Sequence, residues 1–180
     1  SGSPSDLAVE AIAEAAHQAG KPVALDIDYR ASAWPSASVA AEITLNFARK
    51  CDMIVGNDEG FSLLVTRSDD VGADGLTLAG EMAENGHIII YKQGQKGCQL
   101  IQGGRVQKFG IFPVELAKPF GSGDAFLGTL LARLQDGLSL EAAIREGSAA
   151  AAFVVSRIGC ASAMPDSEEL TCFMARYDAP

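Results

Sequence analysis

The sequence predicts an α/β fold in which helices cover both faces of a mainly parallel sheet. Short apolar runs at 23–27, 53–56 and 88–91 have the length and composition of buried strands. Longer stretches with helical periodicity separate these runs, as expected where crossover helices connect parallel strands. Polar residues directly follow the runs, at the end of the strands where open α/β sheets bind ligands.

Composition indicates a globular chain with a sizeable core. Of its 180 residues, 48% are hydrophobic and 21% are charged, and no repeat or linker interrupts them, so we expect residues 1–180 to form a single domain. The net charge of -9 argues against a nucleic-acid or anionic-membrane partner. The longest apolar run, 149–155, is too short to span a membrane. Four scattered cysteines without a CxxC pair predict reduced thiols in a cytoplasmic protein.

The remaining elements follow from periodicity and stop signals. Helices are predicted over six stretches: 7–19, 39–50, 57–65, 76–84, a stretch ending near 155 and 167–174. Two short strands, 98–101 and 106–109, are joined by Gly103-Gly104, a favoured two-residue hairpin turn. Ser139 is expected to cap the helix that ends near 155. That helix is rich in small residues, which favours close packing on a neighbouring helix over contact with a ligand ring.

The most informative stretch is the glycine-rich loop Lys118–Phe126, followed by leucines spaced along one face of a helix and by a stop at Gly137. Its glycines therefore lie at a helix N-terminus, where free N–H groups and the helix dipole favour an anion. Pro119 is expected to keep the preceding backbone out of the helix. Asp124 in the first turn is suited to be a base beside a transferred phosphate. An ordinary glycine-rich loop with an acidic first turn is the alternative.

Three motifs, in this order along the chain, resemble the PfkB (ribokinase-like) family of sugar kinases. They are Asp-x-Asp-x-Arg at 26–30, Lys-x-Gly-x-x-Gly at 92–97 and Gly-Ser-Gly-Asp at 121–124, which is similar to the family's GAGD signature. The resemblance extends over nearly the whole chain. It implies a ribokinase-like three-layer α/β/α sandwich that uses ATP and Mg²⁺.

The resemblance also implies roles for individual residues. Asp124 would accept the proton of the sugar's terminal hydroxyl, and the anion hole would consist of Gly121, Ser122 and Gly123. Nucleotide binding would involve Lys92, Gly94, Gly97 and Asn57. Arg30 would clamp a substrate carboxylate, or alternatively pair with Asp26 or Asp28. Glu59 would help to bind the metal ion.

Two departures from the family pattern stand out. Family members carry an earlier segment with the first strands of the sheet and a lid over the sugar, so this chain resembles the C-terminal, nucleotide-binding portion of a kinase. We expect these 180 residues to be inactive alone, and the exposed sheet edge predicts homo-oligomers. Gly60 stands where the family's Asn-x-x-Glu pattern has its glutamate. Either Glu59 takes over metal binding or metal binding is weakened.

The stretches 26–30, 118–126 and 154–165 resemble the family members that phosphorylate 5-dehydro-2-deoxygluconate in inositol catabolism. This resemblance implies transfer of a phosphoryl group from ATP to the terminal hydroxyl of that sugar acid. Two alternatives stay open. One is a kinase for another sugar acid, such as 2-keto-3-deoxygluconate, and the other is a nucleotide-binding module without catalysis.

Overall fold

The computed structural model describes residues 4–65, 74–118 and 120–177. They divide into two compact units, the first comprising residues up to 94 together with 98–108, and the second comprising 95–97 and the residues from 109 onwards. Pro119, which we expected to keep the backbone out of the helix, lies outside the described residues.

A five-stranded sheet forms the centre of the first unit, and its strands are ordered as in the chain: β1 (Ala24–Ile27), β2 (Met53–Asn57), β3 (Ile88–Lys92), β4 (Cys98–Gln102) and β5 (Arg105–Phe109). The first three strands are parallel, and β4 is antiparallel to β3. Gly103 and Gly104 both have positive φ angles, of 54° and 73°, as the tight turn between β4 and β5 requires. The mainly parallel sheet and its hairpin confirm the sequence prediction.

The described residues of the first unit form four helices: α1 (Pro4–Gln18), α2 (Ala37–Ala48), α3 (Asp58–Val65) and α4 (Gly75–Glu84). Side chains from alternate strand positions, including Ile54 and Ile89, pack against apolar residues of α2, α3 and α4. Phe61 and Leu64 of α3 are fully buried in this cluster. Burial of these apolar groups stabilises the unit. The helix α3 begins directly after the last residue of β2.

Three helices form most of the second unit: α5 (Ser122–Gln135), α6 (Leu140–Val155) and α7 (Ser167–Met174). A Cβ atom at Gly147 of α6 would lie only 2.8 Å from the carbonyl oxygen of Phe126 in α5. The small residues of α6 thus serve helix packing, as the sequence favoured. Arg133 links the two helices, since its Nε donates to Glu146 Oε2 at 2.6 Å, and this contact raises the pKa of the guanidinium.

Short 3₁₀ helices complete the described chain at Ala31–Ala33, Gly94–Lys96 and Ala161–Ala163. No disulfide joins Cys51, Cys98, Cys160 and Cys172. Burial raises the pKa of the Cys51 thiol to about 11, which makes it an unreactive core group. None of the described helices combines the length and apolar character needed to cross a bilayer.

Candidate active site

Polar residues lie on one face of the sheet in the first unit. Residues paired in parallel register point to the same face, and side chains alternate along each strand. Asp26 is in register with Val55 and Ile90, and Asn57 is in register with Lys92. Asp26, Asn57 and Lys92 therefore share the face opposite the α2–α4 core, and Asn57 and Lys92 are the last residues of their strands. At this edge open α/β sheets bind ligands.

An ion pair connects two strands at this edge. Nζ of Lys92 on β3 lies 3.1 Å from Oδ1 of Asp26 on β1, so the pair reaches past β2. The side chains are only 22% and 20% exposed. The resemblance implied that Lys92 binds the nucleotide, and the link to Asp26 was not predicted. The signal was a charged residue within the apolar run 23–27 and another directly after the run 88–91, because a charge in apolar surroundings requires a partner.

Arg30 pairs with Asp28, which is one of the two alternatives that the sequence left open. Its Nε and Nη2 atoms lie 3.0 and 2.8 Å from Oδ2 of Asp28. The side chains are 72% and 64% exposed, and ion pairs this exposed contribute little to stability. The guanidinium can therefore exchange this partner for a ligand carboxylate at small cost.

The start of α3 is organised by Asn57 and Gly60. Oδ1 of Asn57 accepts a hydrogen bond from the Gly60 N–H at 2.8 Å, so Asn57 caps the helix. Gly60 is buried, and a Cβ atom there would lie 2.9 Å from Cγ2 and 3.0 Å from the carbonyl oxygen of Ile27. Close packing on β1 thus leaves no room for a glutamate at position 60.

The two acids of this turn differ in their surroundings. Asp58 is hydrogen-bonded to Tyr91, and burial together with this carboxylate raises the pKa of the phenol. Glu59 is exposed in the first turn of α3. Among residues 4–65, 74–118 and 120–177, no three His, Cys, Asp or Glu side chains gather in a way that could hold a metal ion.

The turn after β3 is held by both of its glycines. Gly94 and Gly97 have φ angles of 58° and 83°, which favour glycine. A Cβ atom at Gly97 would collide with the carbonyl oxygen of Phe109. Within the first unit, Nε2 of the buried Gln99 donates to Oε1 of Gln93 at 2.8 Å and so ties the beginning of the turn to β4. Gly97 has a packing role here in addition to its predicted role at the nucleotide.

The glycine-rich loop of the second unit leads directly into α5. Gly121 is the N-cap residue, with φ of 87°, and no side chain in the described part of the chain caps this helix. The first N–H groups of a helix have no partner within it, so those of Ser122 and Gly123 are suited to bind an anion. Asp124 is exposed in the first turn of α5.

The loop is held close to a cysteine of the same unit. A Cβ atom at Gly121 would lie 2.9 Å from Sγ of Cys160 and 3.4 Å from Cγ1 of Val154. Residue 121 is therefore restricted to glycine by conformation and by contact. The predicted site residues are divided between the units: the strand-end residues, Arg30, Glu59 and Gly94 belong to the first unit, whereas Gly97 and the loop that carries Asp124 belong to the second.

Comparison with known proteins identifies relatives of both sequence and fold. A 5-dehydro-2-deoxygluconokinase from Photobacterium profundum is 38% identical over 96% of this chain and 53% of its own length. The protein of the same name from Lacticaseibacillus casei is 32% identical over 98% of this chain and 54% of its own length. The chain thus spans about half the length of these curated relatives.

Solved structures with the same architecture are sugar and nucleoside kinases. Ribokinase from Thermotoga maritima matches with a TM-score of 0.76 and 26% identity, over 92% of this chain and 53% of that one. Aminoimidazole riboside kinase from Salmonella enterica matches with a TM-score of 0.80 and 23% identity, over 92% and 56%. These likenesses establish a ribokinase-like α/β fold. The model of the pfkB family of carbohydrate kinases matches residues 2–167, and the chain therefore belongs to that family.

Proposed function

We propose that this chain acts in an ATP-dependent kinase that phosphorylates the terminal hydroxyl of 5-dehydro-2-deoxygluconate. The uncapped N-terminus of α5, with Asp124 in its first turn, is the observation that carries this proposal. The names of the relatives at 38% and 32% identity support the choice of sugar acid. The match of the family model across both compact units supports residues 1–180 acting as one domain. Four cysteines that form no disulfide with one another support a cytoplasmic location.

In this proposal Asp124 is the general base. Its carboxylate accepts the proton of the attacking hydroxyl, while the N–H groups of Gly121, Ser122 and Gly123 stabilise charge that develops on the phosphoryl oxygens. Backbone N–H groups at a helix N-terminus need no reorganisation during the reaction, so they favour the transition state. Catalysis then depends mainly on positioning and charge, as phosphoryl transfer requires.

ATP and Mg²⁺ are the proposed co-substrate and cofactor. Structures of this fold include one bound to an ATP analogue and one bound to ATP and Mg²⁺. The residues proposed for the nucleotide are Asn57, Lys92, Gly94 and Gly97. Magnesium ions in such enzymes are held by one or two carboxylates plus substrate phosphates. The exposed Glu59 is proposed as one of these carboxylates. When bound, Mg²⁺ would neutralise negative charge on the phosphates.

Arg30 is the residue proposed to recognise the carboxylate of the sugar acid. A guanidinium binds a carboxylate with two parallel hydrogen bonds, and its present pair with Asp28 is exposed and readily exchanged. A sugar without a carboxylate would lack this contact. Recognition of the acid group therefore distinguishes this kinase from kinases of neutral sugars.

The test is an ADP-release assay on the full-length enzyme and on these 180 residues. The candidate substrates are 5-dehydro-2-deoxygluconate, 2-keto-3-deoxygluconate and fructose, each with and without Mg²⁺. We expect turnover by the full-length enzyme with the first acid, a Mg²⁺ requirement, and no turnover by the 180 residues alone. Faster turnover of 2-keto-3-deoxygluconate would identify that acid as the substrate in place of 5-dehydro-2-deoxygluconate. Faster turnover of fructose, which has no carboxylate, would refute the proposed role of Arg30.

A nucleotide-binding module without catalysis is the second candidate, and Gly60 favours it. The tight contact of Gly60 with Ile27 excludes a glutamate from the position where the family carries one. Isothermal titration with ATP, combined with the assay above, separates the two candidates. ATP binding by the full-length protein without turnover on any sugar acid would favour the module.

A further inference from the structure

The Asp26–Lys92 ion pair is unusual in its burial. Most ion pairs of the described residues have both side chains more than 40% exposed, as in Lys50–Glu10 at 52% and 50%. Both Asp26 and Lys92 are below 25%, which in the described chain also holds for Arg133–Glu146. That second pair links α5 to α6 and has a clear packing role. Asp26 and Lys92 instead lie at the ligand-binding edge of the sheet.

Stability alone is a weak reason for such a pair. Removing two charges from water costs free energy that their mutual attraction often fails to offset, and apolar replacements of buried pairs are frequently neutral or stabilising. Strands β1 and β3 are also already connected through β2 by parallel ladders. A charged pair at this place therefore suggests that the charge itself is used.

The ammonium group has donors left over. A lysine ammonium carries three N–H donors. Within the described residues its hydrogen-bond acceptor is Oδ1 of Asp26, at 3.1 Å. Lys92 is the last residue of β3, at the edge where parallel strands present ligand-binding groups. Two N–H groups of the Lys92 ammonium are thus available to a ligand at this edge, and the contact with Asp26 fixes the orientation of the ammonium.

We propose that Asp26 is a positioning residue that orients the Lys92 ammonium toward an anionic oxygen of the bound ligand. The oxygen belongs either to a nucleotide phosphate or to the sugar acid. The ammonium is a compact point charge, which can bind an anionic oxygen of either ligand. Asp26 acts only through Lys92 and does not touch the ligand. This inference rests on the proposed kinase function and deepens it by adding a residue with no assigned role.

The experiment compares Asp26→Asn, Lys92→Met and the double variant in the full-length enzyme. KM for ATP, KM for the sugar acid, kcat and thermal stability are measured for each. We expect Asp26→Asn and Lys92→Met to raise one of the two KM values about tenfold, the usual effect of losing about 1.4 kcal/mol of binding. The double variant should match Lys92→Met, because Asp26 has no effect once the ammonium is gone. The KM that rises identifies which ligand carries the oxygen.

A matched pair of variants controls for the loss of an ion pair as such. Lys50→Met and Glu10→Gln disrupt an exposed pair with the similar distance of 3.0 Å in the same unit, and they should leave both KM values unchanged. If Asp26→Asn does not fold, the two KM values can still be measured on the double variant, because it leaves no unpaired buried charge.

The outcomes separate this inference from the proposed function. Wild-type turnover together with unchanged KM values in the variants, even at lower thermal stability, would refute the positioning role alone. Additive effects of Asp26→Asn and Lys92→Met would refute it too. A wild-type full-length enzyme without turnover on any sugar acid would refute the kinase proposal and, with it, the role of Lys92.

Discussion

Gly60 of α3 packs directly against Ile27 of β1, so that a Cβ atom at position 60 would lie 2.9 Å from Cγ2 and 3.0 Å from the carbonyl oxygen of Ile27. The neighbouring Asn57 caps the same turn by accepting the Gly60 N–H. The first turn of α3 is thus built around a residue without a side chain. A glutamate at position 60 would clash with Ile27 and would therefore disturb the packing of α3 on β1 instead of providing a metal ligand.

Gly60→Glu should therefore destabilise the fold without improving Mg²⁺ dependence. Overpacking of this kind costs about 1–3 kcal/mol, and the backbone oxygen of Ile27 cannot move as a flexible side chain would. Urea unfolding measures the cost. The control is Gly80→Ala in α4, where nothing lies within 4 Å and a gain of about 0.5–1 kcal/mol is expected. Unchanged stability of Gly60→Glu would contradict the packing argument.

Asp124→Asn in the full-length enzyme should keep ATP binding and lose turnover by about two orders of magnitude or more, the scale of a lost general base. The amide retains the size of the carboxyl group but accepts no proton. Asp136→Asn, at the other end of α5, is the matched control and should keep its turnover, because Asp136 pairs with Arg133 there. Turnover of Asp124→Asn near the wild-type rate would end its assignment as the base.

Gly121→Ala should destabilise the second unit more than Gly137→Ala. Both glycines have similar positive φ angles, of 87° and 84°, so the conformational cost of about 1 kcal/mol is shared. Only at Gly121 would the new Cβ meet Cys160, since nothing lies within 4 Å of Gly137. Adding Cys160→Ala to Gly121→Ala should recover the difference. Equal unfolding midpoints for the two single variants would contradict the contact with Cys160.

Asp52 should make stability depend on pH in the acidic range. Its carboxylate accepts the Val23 N–H at 2.7 Å and contacts His17 Nε2 at 3.0 Å, which lowers its pKa below the usual 3.8. Because the folded-state pKa is the lower one, the contribution is complete above the unfolded-state value and is lost as pH falls through the folded-state value. The stability difference between wild type and Asp52→Asn should thus be at its full value at neutral pH and shrink as pH falls below about 4, the ordinary pKa of an aspartate. A difference independent of pH would refute this.

The secondary structure could be predicted because its signals act within a few residues. Ser139 caps α6 by accepting the Ala142 N–H at 3.2 Å, as its position before the helix indicated. Gly103 and Gly104 supply the positive φ angles of the hairpin. The glycine loop before α5 and the base candidate Asp124 follow from the same local reasoning, since a helix N-terminus is defined by its own turn.

Partner choice could not be predicted in the same way. Asp26 and Lys92 are 66 positions apart, and their contact depends on strand order, on register and on the shared face of the sheet. For Arg30 the sequence left open a clamp for a substrate carboxylate or an ion pair with Asp26 or Asp28. Asp28 is its partner, while Asp26 faces Lys92.

By itself the sequence determined the helices and strands, the hairpin and the glycine-rich start of α5, since short-range backbone preferences and apolar periodicity control all of them. Only the tertiary structure decided that Gly60 packs on Ile27, that Gly121 lies against Cys160 and that Asp26 neutralises Lys92. These contacts join residues far apart in the chain. They exist because close packing and the burial of charge depend on how separate elements come together in the fold.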